Sequence, residues 1–377
     1  MLDWHNSCRG LLPTHSRRPS RRPTMPSAIH SRASRLTARL RTLLPLALIV
    51  VLFVLACLAF FMINDRAPLS LFMQMVAGGF GDFYSLSESL VQAGPIMLTA
   101  MAVALPARLG LISVGGEGQM YAGAVLGTGV VLLGFNWPGF LLMPLMLLGG
   151  MLGGALYGLM PALLKTRLGI NETIATLLLN YIALLLVSFL VHGPWRNPAS
   201  LGWPATIEFP SGAVLPTLWA SRMHVGLILA VCIAFAMHWL VTHSRWGLAL
   251  HVLRSNPRAG ATAGLSHTTN VVLVLCLGGL LAGLAGIAEA SVIHGRLQAG
   301  IAGTYGLTGF LVAWLAGQHF LRIIPISVLM GGLLASADTL QLFAQLPAAS
   351  AVILQATLFA IVLAVNAHWS KHQRRST

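Results

Sequence analysis

Long apolar runs separated by short polar connectors dominate this chain. A helix needs roughly 20 apolar residues to cross the hydrocarbon core of a bilayer. Ten stretches meet that pattern, at about 43–63, 88–106, 111–134, 139–163, 172–191, 223–242, 269–289, 304–320, 323–339 and 350–367. The third and eighth are the weakest, because glycines and polar residues open them. Connectors such as Phe135-Asn136-Trp137-Pro138 join turn formers to an interfacial aromatic, as a tight external turn does. The pattern predicts an all-α polytopic membrane protein of about ten spans. It divides into two five-span halves whose third members, the third and eighth spans overall, are broken.

Composition sharpens this reading. Of 377 residues, 56% are hydrophobic and 8% charged, whereas a soluble domain carries about 25% charged residues. A soluble enzyme is excluded, and so is a disordered chain, which needs low hydrophobicity. The four cysteines form no C-x-x-C pair and the 13 histidines no H-E-x-x-H spacing, so no disulfide framework, metal centre or cofactor is read. The two lysines, Lys165 and Lys371, are not preceded by glycine, which excludes a G-x-x-x-x-G-K-[ST] phosphate loop.

The charge has a direction. Residues 1–42 hold nine arginines and one acid, Asp3. This basic segment is read as a disordered cytoplasmic tail that orients the first span, or as an extension upstream of Met25, rather than as a nucleic-acid arm. The apolar run at 43–63 is too long for a cleaved signal peptide and lacks a small-residue cleavage site. With both ends in the cytoplasm, 19 of the 23 Lys and Arg residues face inward; Arg66, Arg196, Arg222 and Arg296 face outward. The domain plan is a tail (1–42), a transmembrane domain (43–367) and a basic cytoplasmic C-terminus (368–377). Trp137, Trp195, Trp203 and Trp219 then fall on the outer side, and Trp239, Trp246 and Trp369 near the inner one. The loop at 192–222 is either a docking surface for an extracytoplasmic partner or an ordered cap over the helices.

Two kinds of glycine cluster stand out. Gly149-Gly150-Met151-Leu152-Gly153-Gly154 and Gly279-Leu280-Leu281-Ala282-Gly283 carry G-x-x-x-G spacings, which let helices approach closely. The runs Ser113 to Gln119 and Gly300 to Gly309 sit instead where spans begin. An interrupted helix at membrane depth faces protein or a water-filled cavity, and paired interruptions in two halves point to a transporter's path. Glu117, beside Gln119, is either a group lining that path or a carboxylate bonded to amides that the break exposes. Glu289 and Asp338 lie at outer span ends and are read as interfacial. Asn171 and Glu172 suit a helix start. Asn180, followed by Tyr181, either bonds a neighbouring helix or lines the path.

The internal loop 247–265 reads as a short amphipathic helix, then Asn256-Pro257 opening a second helix that Gly264 ends. Here the chain resembles the permease subunits of ATP-binding-cassette importers for nucleosides and simple sugars. Four stretches carry the resemblance: Gly115 to Gln119 (G-G-E-G-Q), Asn171 to Ala183 (N-E-T-I-A-T-L-L-L-N-Y-I-A), Arg254 to Gly264 (R-S-N-P-R-A-G-A-T-A-G) and Tyr305 to Gly317 (Y-G-L-T-G-F-L-V-A-W-L-A-G). It covers about residues 40–367, leaves the tail outside, and makes 43–367 a transmembrane permease domain.

The resemblance implies a coupling helix, with Arg254, Asn256, Pro257, Arg258, Ala259 and Gly264 seating in a separate ATPase subunit. It also implies a second permease chain, like or unlike this one, and an extracytoplasmic binding protein that holds most of the substrate specificity. The home would be the inner membrane. Glu117, Gln119, Asn180, Tyr181, Tyr305 and Thr308 would lie along the path, with aromatic rings able to stack on a base. Nucleosides are the first substrate expectation and sugars the second. Two departures from the family pattern are Ser113, where Asn is usual, and Gln318-His319-Phe320, in place of an Asn-Pro-type turn. An ion-coupled secondary transporter would explain the broken helices but not the R-x-N-P loop. A membrane-embedded enzyme would need a polar constellation at one membrane face that the sequence does not offer.

Overall fold

A computed structural model describes residues 28–64, 67–200, 202–217, 221–347 and 349–375. Most of the basic tail, Arg66 and Trp219 lie outside these residues. The chain divides into two units, Met1–Leu48 and Ile49–Thr377; the fold that follows is that of the second. Its helices are the later part of α1 (Ala28–Ile63), α2 (Pro68–Phe80), α3 (Phe83–Ala107), α4 (Gly116–Leu133), α5 (Gly139–Leu168), α6 (Glu172–His192) and α7 (Val225–His243). They continue with α8 (Arg245–Ser255), α9 (Pro257–Thr262), α10 (His267–Glu289), α11 (Tyr305–Leu315), α12 (Phe320–Ala344) and α13 (Ala349–Arg375). No β-strand forms among the described residues; two isolated antiparallel bridges, Ala205–Gln298 and Thr217–His224, are the nearest approach to one.

Each of the ten apolar stretches carries a helix. Among the described residues six helices are long and apolar enough to cross a membrane, or seven if the bent α1–α2 pair is one span: α3, α5, α6, α7, α10 with the π-turn Ala290–His294 that extends it, and α12. This makes the protein polytopic. The others fall short for visible reasons. α4 spends its first turn on Glu117 and Gln119 and carries five glycines. α11 has 11 residues, and the apolar part of α13 is Ala349–Val365. α2, too short for a span of its own, is bent by 119° from α1.

Helix α3 is the hub, with 89% of its apolar window buried. Asp82 caps it by accepting the Ser85 amide at 2.7 Å. It packs on α10, α11 and α12. The second packing centre is α4–α5–α10, where the G-x-x-x-G clusters meet as expected. A Cβ on Gly154 would overlap Gly279 O and approach Gly283 Cα at 2.7 Å, while one on Gly283 would overlap Gly150 O. Backbones this close gain dispersion that larger side chains would block, and in lipid that close packing replaces the hydrophobic force.

The described residues of the 192–222 connector pack over the start of the second break. The Thr206 amide donates to Leu297 O (3.0 Å), the Phe209 amide to Gly295 O (2.8 Å), and the Ser291 hydroxyl to Ala213 O (2.6 Å). Trp203 Nε1 adds a bond to Gln298 Oε1 at 3.2 Å.

Candidate functional site

The irregular backbone before α4 leaves a helix start without a capping side chain, because its N-cap residue is Gly115. The orphan amides of a first turn need partners, and α6 supplies them from a polar stripe on an otherwise apolar helix. Asn180 Oδ1 accepts the Gly118 amide at 2.9 Å, and its Nδ2 donates to Val114 O at 2.9 Å. Thr176 Oγ1 accepts the Val114 amide, and Glu172 Oε1 the Ile112 amide, both at 3.2 Å. Thr173 Oγ1 donates to Ile112 O at 2.9 Å. Lys165 pairs with Glu172 Oε2 at 2.6 Å, so one carboxylate joins the end of α5, the start of α6 and the break. Asn171 caps α6 as expected, accepting the Thr173 amide at 2.8 Å.

The second break, through positive-φ Gly300 and Gly303, delivers the N-terminus of α11 against that of α4. A Cβ on Gly306 would come within 2.7 Å of Glu117 Cα, and one on Gly116 would lie 3.7 Å from Gly306 Cα. Two helix N-termini thus converge, each carrying the positive end of its macrodipole, with half-buried Glu117 between them. Thr99 of α3 secures α11: its hydroxyl lies 3.1 Å from Tyr305 O and 2.9 Å from Pro95 O.

Tyr305 donates its hydroxyl to Gln92 Oε1 at 2.9 Å and lies 3.3 Å from Glu289 Oε1. Glu88 and Arg222 form an ion pair at 3.1 Å. Glu289, read as interfacial, is instead buried: it is 2% exposed, with the Tyr305 hydroxyl 3.3 Å from its Oε1. Thr308 donates to Gln355 Oε1 at 3.2 Å, and the buried Gln355 Nε2 has no partner among the described residues.

Of the residues singled out from sequence, Glu117, Gln119, Tyr305 and Thr308 gather around the starts of α4 and α11. Gln119 is buried, with Nε2 against Gly115 and Gly158. Asn180 joins them as the clamp on the break. Tyr181 does not: it is 66% exposed, turned away from Asn180 on α6. Thr99, Gln92, Thr176 and Gln355 were missed, and Glu172, read only as a first-turn acid, also holds the break. Glu172, Thr176 and Asn180 follow at four-residue steps, so a polar stripe was the signal available for three of the clamp's groups.

Helices α8 and α9 form as predicted. Asn256 Oδ1 accepts the Arg258 and Ala259 amides at 3.1 and 3.2 Å, Pro257 opens α9, and Gly264 turns the chain at φ +77°. Leu250 and Leu253 are buried and seat α8, while Arg254, Arg258 and Ala259 are exposed. Trp246 Nε1 donates to Asn270 Oδ1 at 3.0 Å, tying α8 to α10. The unusual Gln318 sits here in a left-handed conformation (φ +63°). Its carbonyl accepts from Arg108 at 2.6 Å, and its Oε1 lies 3.5 Å from Arg254 Nη1. The α11–α12 turn is thereby linked to α8.

Residues 85–363 match the family described as the branched-chain amino acid transport system permease component. The chain belongs to that family. It is 31% identical to a glucose ABC transporter permease of Haloferax volcanii over 81% of each chain. It is 30% identical to a guanosine ABC transporter permease of Bacillus subtilis, over 68% of this chain and 74% of that one. A nucleoside ABC transporter permease of Lactococcus lactis shares 28% over 78% and 82% respectively. No solved structure matches the chain. The protein is a multi-pass permease subunit of an ABC importer. It is not itself an enzyme, and ATP hydrolysis belongs to a separate ATPase subunit that partners it. The secondary-transporter alternative is not favoured.

Proposed function

We propose that this permease carries nucleosides across the inner membrane through ten spans, with both termini cytoplasmic and residues 43–367 forming the permease domain. The carrying observation is the meeting of two helix starts at Gly116 and Gly306, with Glu117, Gln119, Tyr305 and Thr308 around it. Hydroxyl and amide groups beside the Tyr305 ring suit a solute with one stacking face and several hydrogen-bonding groups. Relatives named for guanosine and nucleosides favour this class, and the one named for glucose keeps sugars as the second reading. Asn180 acts by holding the α4 start in place, and Tyr181 is left out of the path. A second permease chain and an extracytoplasmic binding protein complete the importer. Comparing uptake of labelled guanosine and glucose by cells expressing the whole importer tests the class: guanosine uptake without glucose uptake supports it, the reverse overturns it.

In this reading α8 and α9 are the coupling element, with Arg254, Asn256, Pro257, Arg258, Ala259 and Gly264 shaping the surface offered to the ATPase. Arg254→Glu should leave membrane insertion intact, since the side chain is exposed. A reversed charge at a docked interface sets like charges against each other, which costs several kcal/mol, so uptake should fall more than about tenfold. Normal uptake in that variant would remove the coupling role.

A further inference from the structure

Between the end of α7, the start of α8 and the turn after α3 lies an open cleft of about 530 Å³. Arg108, Arg245, Arg254, His243 and His251 line it, and no Asp or Glu does. The three ion pairs among the described residues involve none of these side chains.

Arg108 shows the imbalance most clearly. Its guanidinium lies over the Phe320 ring at 5.6 Å and donates to Gln318 O, while its Nε is buried without a hydrogen-bond partner among the described residues. Desolvation, and then the nearby charge of Arg254, push its proton affinity below the ordinary arginine value. Arg254 leans on the same Gln318 through a 3.5 Å contact to Oε1. Two guanidiniums therefore converge on one neutral residue, Arg108 at the Gln318 backbone carbonyl and Arg254 at its side-chain amide oxygen. The start of α8 adds its positive dipole end, where Ser244 caps the Gly247 amide at 3.1 Å.

We infer that this cleft binds the phosphate group of an anionic phospholipid of the inner leaflet. Arginine forks suit a phosphodiester, and a basic pocket on the cytoplasmic side of a helical bundle is suited to an anionic headgroup. The surroundings favour a lipid over a soluble phosphate. Leu248, which lines the cleft, and Trp239, which stacks on His243 at 6.4 Å, are both 65% exposed. An apolar flank with an interfacial tryptophan accommodates acyl chains next to the bound headgroup. The assignment rests on the orientation proposed above, but its test reads binding and not transport.

The purified full-length chain is placed in nanodiscs of phosphatidylcholine alone or mixed with phosphatidylglycerol. Lipid retained after gentle detergent extraction is then counted by native mass spectrometry. Phosphatidylglycerol should be retained in preference to phosphatidylcholine. Arg245→Gln, at an exposed position, should weaken that retention about fivefold, as about 1 kcal/mol per basic side chain near an anionic surface implies. Arg245→Lys should keep most of it, and Arg108→Gln should weaken it at least as much as Arg245→Gln. Three results would overturn the site: no preference for phosphatidylglycerol, equal retention by Arg245→Gln and wild type, or full displacement of the lipid by inorganic phosphate, which would assign the cleft to a soluble anion.

Discussion

Valine at position 283 is expected to prevent accumulation of folded protein. Gly283 lies where α10 crosses α5: a Cβ there would overlap Gly150 O and sit 2.8 Å from both Gly154 N and Cα. These are backbone atoms in the middle of two helices, so no rotamer change relieves the overlap. The helices must separate, and the neighbouring contacts of Gly279 with Gly154 O and of Gly123 with Gly283 go with them. Overpacking a tight core costs about 1–3 kcal/mol or more, and here a branched side chain meets two backbones at once. Monodispersity in detergent should be lost for Gly283→Val and reduced for Gly283→Ala. Gly129→Ala is the control, because the nearest atom to its added Cβ is a Trp195 ring carbon at 3.6 Å. If Gly283→Val were as monodisperse as Gly129→Ala, the α5–α10 crossing described here would be wrong.

Asn180→Ala should be the second most damaging change, and it should act on transport as well as stability. It leaves the Gly118 amide and the Val114 carbonyl without their side-chain partner at membrane depth. An orphaned buried group costs about 1–3 kcal/mol, although hydrogen bonds measured between membrane helices average about 0.6 kcal/mol. The two groups together set a loss of about 1–4 kcal/mol. The first turn of α4 carries Glu117 against Gly306, so a loosened turn displaces the meeting point of α4 and α11. Uptake should fall sharply while the protein remains in the membrane. Tyr181→Ala, one residue away but 66% exposed, should leave uptake near wild type. Equal loss in both variants would move the path to the outer face of α6.

The contrast between these adjacent residues shows what the sequence made legible. Local signals carried well. Asn256 before Pro257 marked a helix start because capping is settled within three residues, and the G-x-x-x-G clusters marked a close crossing because only small residues permit one. Apolar run length located helices α3 to α7 and α10 to α13, yet it passed over α2, whose 13 residues are too few for a span and so fell below the length sought. The glycine runs announced two irregular starts, but nothing local said that those starts face each other.

Tertiary partners were the larger gap. Asn180 grips Gly118 and Val114 across more than 60 residues, and Glu172, read as a first-turn acid, also holds Ile112. Glu289 was read as interfacial because hydropathy registers the end of a helix, not the packing and the Tyr305 hydroxyl that meet it there. Gln318 was visible only as a departure from the family pattern. Its backbone conformation and two arginine neighbours give it a place: it joins α8 to the α11–α12 turn.

The proposed coupling role of α8 and α9 requires that a separate ATPase subunit docks on this permease and drives transport through it. The most direct test is to co-express a tagged chain with the genes adjacent to it, purify it in mild detergent and measure ATP hydrolysis. The account predicts that an ATPase subunit co-purifies and that its activity rises on adding the binding protein loaded with nucleoside. It also predicts that Arg254→Glu abolishes this rise. A chain that purifies alone, with cellular uptake that ignores ATP and collapses when the proton gradient is dissipated, would contradict it.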